Sequence, residues 1–244
     1  MKKNTGVCFL LFFITINSSI LNAQKTISFF AKDGVLITAD LYLNNDTLPY
    51  MILCHQSGSS RGEYLETAIR FSKFGYNCIA IDMRSGEEMN KIRNETAYNA
   101  KSKGRSTQFI DAEQDIRAAI DYAFDLNQKK VVLVGSSYSA SLVMKVAKNN
   151  SSVKAVIAFS PGEYFGNEYS LKDSIANLTK PLFVTSSKIE SPQVSELIKG
   201  VKSQQKQQFT PSQKGVEGSI ALWKTTANRQ EYWMALMMFM LNIK

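Results

Sequence analysis

Residues Lys129–Ala147, KKVVLVGSSYSASLVMKVA, admit few folds. Val131-Val132-Leu133-Val134 is an unbroken β-branched and aliphatic run, the pattern of a strand covered on both faces. It stops at Gly135-Ser136-Ser137-Tyr138-Ser139. Beyond it, Leu142, Val143, Val146 and Ala147 recur at helical spacing, so a helix leaves directly from the turn. A turn this short between a buried strand and a helix leaves no room for large side chains at its ends. Gly135 and Ser139 are small, and Ser137 falls at the apex. A Ser-rich stretch can also be a plain helix N-cap, but its place directly after a buried strand favours a nucleophile-bearing elbow.

The rest of the chain repeats strand and helix around that unit. Ile27–Ala31 and Leu36–Leu43 flank Lys32-Asp33-Gly34 and predict an antiparallel hairpin. Tyr50–Cys54, Asn77–Ile81, Val153–Phe159 and Pro181–Thr185 predict buried strands, and Phe209 centres a short last one. Helices are expected from Leu65 to a Gly75 cap, over Thr107–Leu126, from Ser191-Pro192 to Val201, and over Gln230–Leu241. Helices between successive strands imply right-handed parallel crossovers. The polar segment Ser85–Arg105 is expected to be an irregular, mobile loop over a site. The sum is one α/β domain spanning 24–244, a three-layer α/β/α sandwich with a mostly parallel sheet.

The first 23 residues stand apart. Lys2 and Lys3 precede an apolar run over Val7–Ile16, and Ala23 offers a small residue for cleavage before Gln24, so 1–23 predict a signal peptide and an exported protein. That apolar run is too short to span a bilayer. Losing it lowers the formal net charge from +8 to +6. The remaining Lys and Arg are scattered, with no basic block and no aromatic–basic pattern, so nucleic acid is not an expected partner. The single histidine, His55, and the separated Cys54 and Cys78 offer no metal-ligand spacing, and no metal or other cofactor is expected. The two cysteines fall at opposite ends of their strands, too far apart to bridge, and are expected to be free thiols.

With its elbow, G-x-S-x-S in place of G-x-S-x-G, the chain resembles the α/β-hydrolase superfamily, and within it the dienelactone-hydrolase-like branch. The resemblance implies Ser137 as nucleophile in the hydrolysis of a small ester or lactone. Oxyanion donors would be the backbone N–H of Tyr138 and one from His55-Gln56-Ser57-Gly58, Ser57 first and Gln56 second. The acid is expected just after the Pro181–Thr185 strand, at Glu190, with Glu163 in reserve.

The general base departs from the pattern. The superfamily carries its catalytic His in a late loop, commonly as His-Gly, and the matching stretch here is Lys214-Gly215-Val216-Glu217-Gly218-Ser219. Glu217 stands where the His is expected. An ordinary carboxylate is about two pKa units less basic than imidazole, roughly 3 kcal/mol less driving force for taking a serine proton. His55, in the oxyanion loop, is the alternative base or else a brace of its own loop. Two readings follow: an esterase-like enzyme, or a pseudo-hydrolase that keeps the pocket and binds a ligand.

Overall fold

The computed structural model describes residues 24–167 and 169–243. The segment read as a signal peptide, 1–23, lies outside the described residues. Ten strands are formed: β1 Gln24–Phe30, β2 Leu36–Tyr42, β3 Tyr50–Cys54, β4 Asn77–Ile81, β5 Glu88–Met89, β6 Ile92–Arg93, β7 Val131–Ser136, β8 Val153–Phe159, β9 Leu182–Thr185 and β10 Lys206–Phe209. The helices are α1 Thr67–Ser72, α2 Glu95–Ser102, α3 Glu113–Asn127, α4 Tyr138–Lys148, α5 Leu171–Ile175, α6 Ser191–Leu197 and α7 Arg229–Asn242.

Eight strands make one sheet in the order β1-β2-β4-β3-β7-β8-β9-β10. β1 pairs antiparallel with β2, and β2 antiparallel with β4; the other pairings are parallel. The expected mostly parallel three-layer sandwich is therefore present. Two apolar clusters form, one on each face of the sheet, and alternate residues of a strand divide between them. Val131 and Leu133 of β7 join α3 and α4, while Val132 and Val134 join α1 and α7. This is why the central strands read as continuous apolar runs rather than alternating ones. In α7, Tyr232, Trp233, Leu236, Phe239 and Met240 are buried while Met234, Met237, Met238 and Leu241 are exposed. No helix among the described residues is long and apolar enough to cross a membrane.

The parallel register places the active loops together, because β3, β7, β8 and β9 all end at the same edge of the sheet. It also separates the cysteines. Cys54 lies opposite Ile81 and Cys78 opposite Met51, so they are offset by about 10 Å along the strands. Both are buried free thiols.

The segment Ser85–Arg105 is not the irregular loop that its polarity suggests. It folds into the β5–β6 hairpin and α2. Its polar side chains satisfy backbone groups rather than water: Leu36 N–H donates to Asn99 Oδ1 at 2.9 Å, and Thr38 N–H to Thr96 Oγ1 at 2.9 Å. Buried ions fasten its base. Arg84 bridges Asp115 and Asp33, and Arg61 bridges Asp82 and Asp40. Removing one partner from such a cluster leaves an uncompensated buried charge, which costs about 3–5 kcal/mol.

Candidate active site

The site is built where β7 turns into α4. Ser137 sits between them at φ 57°, ψ −122°, a backbone conformation that a non-glycine residue rarely holds. The fold imposes it: Ser137 N–H is donated to Phe159 O of β8 at 2.8 Å, while α4 starts at the next residue. The turn needs its small flanks. A Cβ on Gly135 would stand 2.5 Å from Ser139 O and 2.6 Å from Ala140 Cα. Ser139 does more than fit, since its hydroxyl accepts Ser136 N–H at 2.8 Å and reaches Cys54 O at 2.8 Å. Ser137 as a whole is 8% exposed.

That hydroxyl donates to Glu217 Oε1 at 3.1 Å. The loop after β10 thus brings an exposed carboxylate to the elbow from 80 residues away. Gly218 makes the approach possible. Its φ is +72°, and a Cβ there would lie 2.5 Å from Gln56 Oε1 and 2.7 Å from Ser136 Oγ. On its other side, Ser219 N–H donates to Ser136 Oγ at 2.8 Å, pinning the loop to the strand that carries the serine.

Three comparisons with known proteins bear on this arrangement. The model of the dienelactone hydrolase family matches residues 37–210. The chain belongs to the dienelactone hydrolase family. The quorum-quenching protein AidA of Acinetobacter baumannii is 30% identical over 141 residues, 54% of this chain and 42% of that protein, so less than half of the relative's length is matched. Among solved structures, an esterase of Pyrococcus furiosus superposes with a TM-score of 0.69 at 14% identity, covering 90% of this chain and 91% of the other. A dienelactone hydrolase of Anabaena variabilis gives 0.63 at 13% identity over 89% and 95% of the two chains. At such identities these two likenesses speak for the shared fold.

Within that family frame the residues named from sequence fall as follows. His55 is fully buried and spoken for on both ring nitrogens. Nδ1 faces Gln56 O at 2.7 Å, and Nε2 accepts Met83 N–H at 2.9 Å with Asn94 Nδ2 at 3.1 Å. Burial holds its pKa down to about 4, against a weaker upward pull from Gln56 O. The ring is a neutral brace for its loop, and the alternative of His55 as base is set aside on geometry. Of the oxyanion candidates, Tyr138 opens α4, where first-turn N–H groups have no partner within the helix. The Gln56 N–H is occupied, donated to Glu63 Oε2 at 3.0 Å, which corrects the inclusion of Gln56 among the donors. Ser57, the other candidate in this loop, is exposed.

Glu190 is near the site but differently employed than as a direct partner of the base. Its Oε2 accepts Ser187 N–H at 2.9 Å, Ser187 Oγ at 2.5 Å and Ser160 Oγ at 3.1 Å. Ser160 Oγ in turn accepts Gly218 N–H at 3.0 Å, so Glu190 reaches the Glu217 loop through a serine relay. Glu163, the reserve acid, caps α5 instead, accepting Leu171 N–H at 2.6 Å and Lys172 N–H at 2.9 Å.

Some contributors to the site were not legible as such. Ser160, at φ 52°, follows β8 directly, and its place at a strand's carboxyl end was the available signal. Tyr164 donates to Ser160 O at 3.2 Å. Burial raises its pKa, opposed by Ser137 and reinforced by the nearby Glu217 and Glu190. Glu63 is fully buried, and burial lifts its pKa. No periodicity marks it; only its contacts reveal it.

Proposed function

We propose that this member of the dienelactone hydrolase family hydrolyses a small ester or lactone through Ser137, with Glu217 as proton acceptor. The observation that carries the proposal is the 3.1 Å hydrogen bond from Ser137 Oγ to Glu217 Oε1, made by a serine already held in the elbow conformation. As Oγ attacks the acyl carbon, its proton passes to Glu217, and the N–H groups of Tyr138 and Ser57 receive the developing oxyanion. Collapse breaks the acyl–oxygen bond, and the leaving alkoxide recovers the proton from Glu217. Water repeats the sequence on the acyl-serine to release the acid. The lower basicity of a carboxylate predicts slow turnover rather than none.

A second reading is favoured by one feature. A Glu217 that has taken the serine proton is neutral and gives the oxyanion none of the attraction that a protonated imidazole would, which suits a pseudo-hydrolase that binds without turnover. Fluorophosphonate labelling of Ser137, together with turnover of an activated ester, separates the two. Labelling and Ser137-dependent turnover that fall in Glu217→Gln support the enzyme. Background-level turnover, with wild type and Ser137→Ala indistinguishable, supports the binding protein. Export is part of the same proposal and rests on the basic–apolar–small order of residues 1–23; N-terminal sequencing of the secreted or periplasmic fraction should find Gln24 first.

A further inference from the structure

We infer that the site selects esters and lactones whose acyl part is neutral and apolar, seated against Phe109, Ile110, Tyr164 and Phe165, and that it discriminates against acyl groups carrying a carboxylate. The inference deepens the proposed function and rests on Ser137 as the nucleophile.

A cleft of about 430 Å³ is lined by Thr107, Gln108, Phe109, Ile110, Tyr164, Phe165 and Gly166. That is within the usual size of a small-molecule site, about 300–1,000 Å³. It adjoins the nucleophile through two of its walls. Tyr164 donates to the carbonyl of Ser160, whose hydroxyl accepts Gly218 N–H beside Glu217, and Phe109 stacks on Tyr138, the residue after Ser137, with ring centroids 4.3 Å apart. Its walls are aromatic and aliphatic with a neutral polar end at Thr107 and Gln108, and none of the lining residues is charged.

The charges that face this region are negative. Glu217 accepts the Ser137 hydroxyl from the loop after β10, and Glu190, from the loop after β9, shares a cavity wall with Tyr164. On the far side of Tyr164 a second cavity, about 370 Å³, is walled in part by Glu163 and Glu190. The cations nearby are either spent or aside. Lys145 lies over Tyr169 at 5.5 Å but is ion-paired with Glu113. Arg105 is exposed, two positions before Thr107, and does not line the cleft. A carboxylate on the acyl chain would therefore leave water for an apolar wall, with like charge nearby and no cation to meet it.

The test uses para-nitrophenyl esters of one leaving group: acetate, butyrate, hexanoate, and the mono-ester of adipate, which is hexanoate's length with a terminal carboxylate. At neutral pH, kcat/KM is expected to rise about threefold per methylene up to hexanoate, and hexanoate to exceed adipate at least about tenfold. Ile110→Lys supplies the missing cation and should raise kcat/KM for adipate above the wild-type value, an effect that loss of packing alone would not produce. Adipate turned over as well as hexanoate overturns the inference while leaving Ser137 in its role. Binding is read separately, by calorimetry on Ser137→Ala with hexanoic anilide and its terminal-carboxylate analogue. Preference for the neutral anilide upholds the cleft's selectivity even where turnover is absent, so failure of the nucleophile and failure of the selectivity give different results. Equal or tighter binding of the carboxylate analogue overturns the selectivity.

Discussion

The buried Glu63 carboxylate accepts the Ser219 hydroxyl at 2.5 Å, and its other oxygen accepts Gln56 N–H at 3.0 Å. One side chain thereby joins the loop that carries Ser57 to the loop that carries Glu217, through a contact between residues 156 apart in sequence. Trp223 Nε1 donates to Glu63 O at 2.9 Å and closes the same knot.

Glu63→Met keeps most of the bulk but removes both accepting oxygens, leaving Gln56 N–H and the Ser219 hydroxyl without their partner at about 1–3 kcal/mol each. Thermal or urea unfolding should show that loss. If Glu63 also sets the spacing between oxyanion donor and base, kcat should fall at least about tenfold with KM little changed, measured under conditions where the variant remains folded.

His55 makes a pH prediction with a definite sign. Its folded pKa is lowered from 6.5 to about 4, so between those values the unfolded chain binds the proton and the native one does not. Stability from this group is present above pH 6.5 and is lost as pH falls toward 4, by at most roughly 3 kcal/mol. Asp82 and Asp115 work in the opposite sense, since burial raises both to about 6 and favours the folded state on acidification. The contribution of His55 is therefore isolated by comparison with His55→Gln, which keeps an acceptor for Met83 N–H without titrating. Wild type should lose stability relative to that variant between pH 6.5 and 4; a constant difference would show that the ring is not held neutral.

The sheet and the elbow were legible because both are local: Val131–Val134 carries its own burial pattern, and Gly135 and Ser139 carry the steric demand of the turn. Glu217 was legible by position, as the residue in a late Gly-flanked loop. Glu63, Ser160 and Tyr164 were not, because each acts through partners far along the chain and none lies in a periodic or small-residue pattern. The segment Ser85–Arg105 misled for a related reason. Polar side chains such as Asn94, Thr96 and Asn99 look solvated in sequence, yet here they satisfy backbone and ring groups of other elements.

Ser160 is expected to matter more for rate than for stability. In Ser160→Ala, Gly218 N–H loses its acceptor and Glu190 loses its link to the Glu217 loop. The stability cost should be about 1 kcal/mol, whereas a base displaced by even a fraction of an ångström should lower kcat about tenfold or more. Glu163→Gln is the matched control: it weakens the cap on α5 and should move the melting temperature but not kcat. Equal effects of the two variants on kcat would argue against the serine relay.

The decisive substitution is Glu217→His. It restores an imidazole at the residue that faces Ser137 Oγ, and adds about two units of basicity to the proton acceptor. With the proton about half transferred in the transition state, that gain corresponds to roughly tenfold in acyl transfer. A further gain comes from sign, since a protonated imidazole is cationic and favours the oxyanion, whereas a protonated carboxylate is neutral. The rise should stop short of a full triad's rate, because the Glu190 oxygen that would orient the ring is already taken by Ser160 and Ser187. Fluorophosphonate labelling of Ser137 and turnover of an activated ester should increase together. If instead wild type turns over quickly, and Glu217→His and Glu217→Ala both abolish it, then Glu217 is a carboxylate base tuned to this site. If neither substitution changes a background-level rate, the elbow has the geometry of a nucleophile without the chemistry, and the binding reading stands.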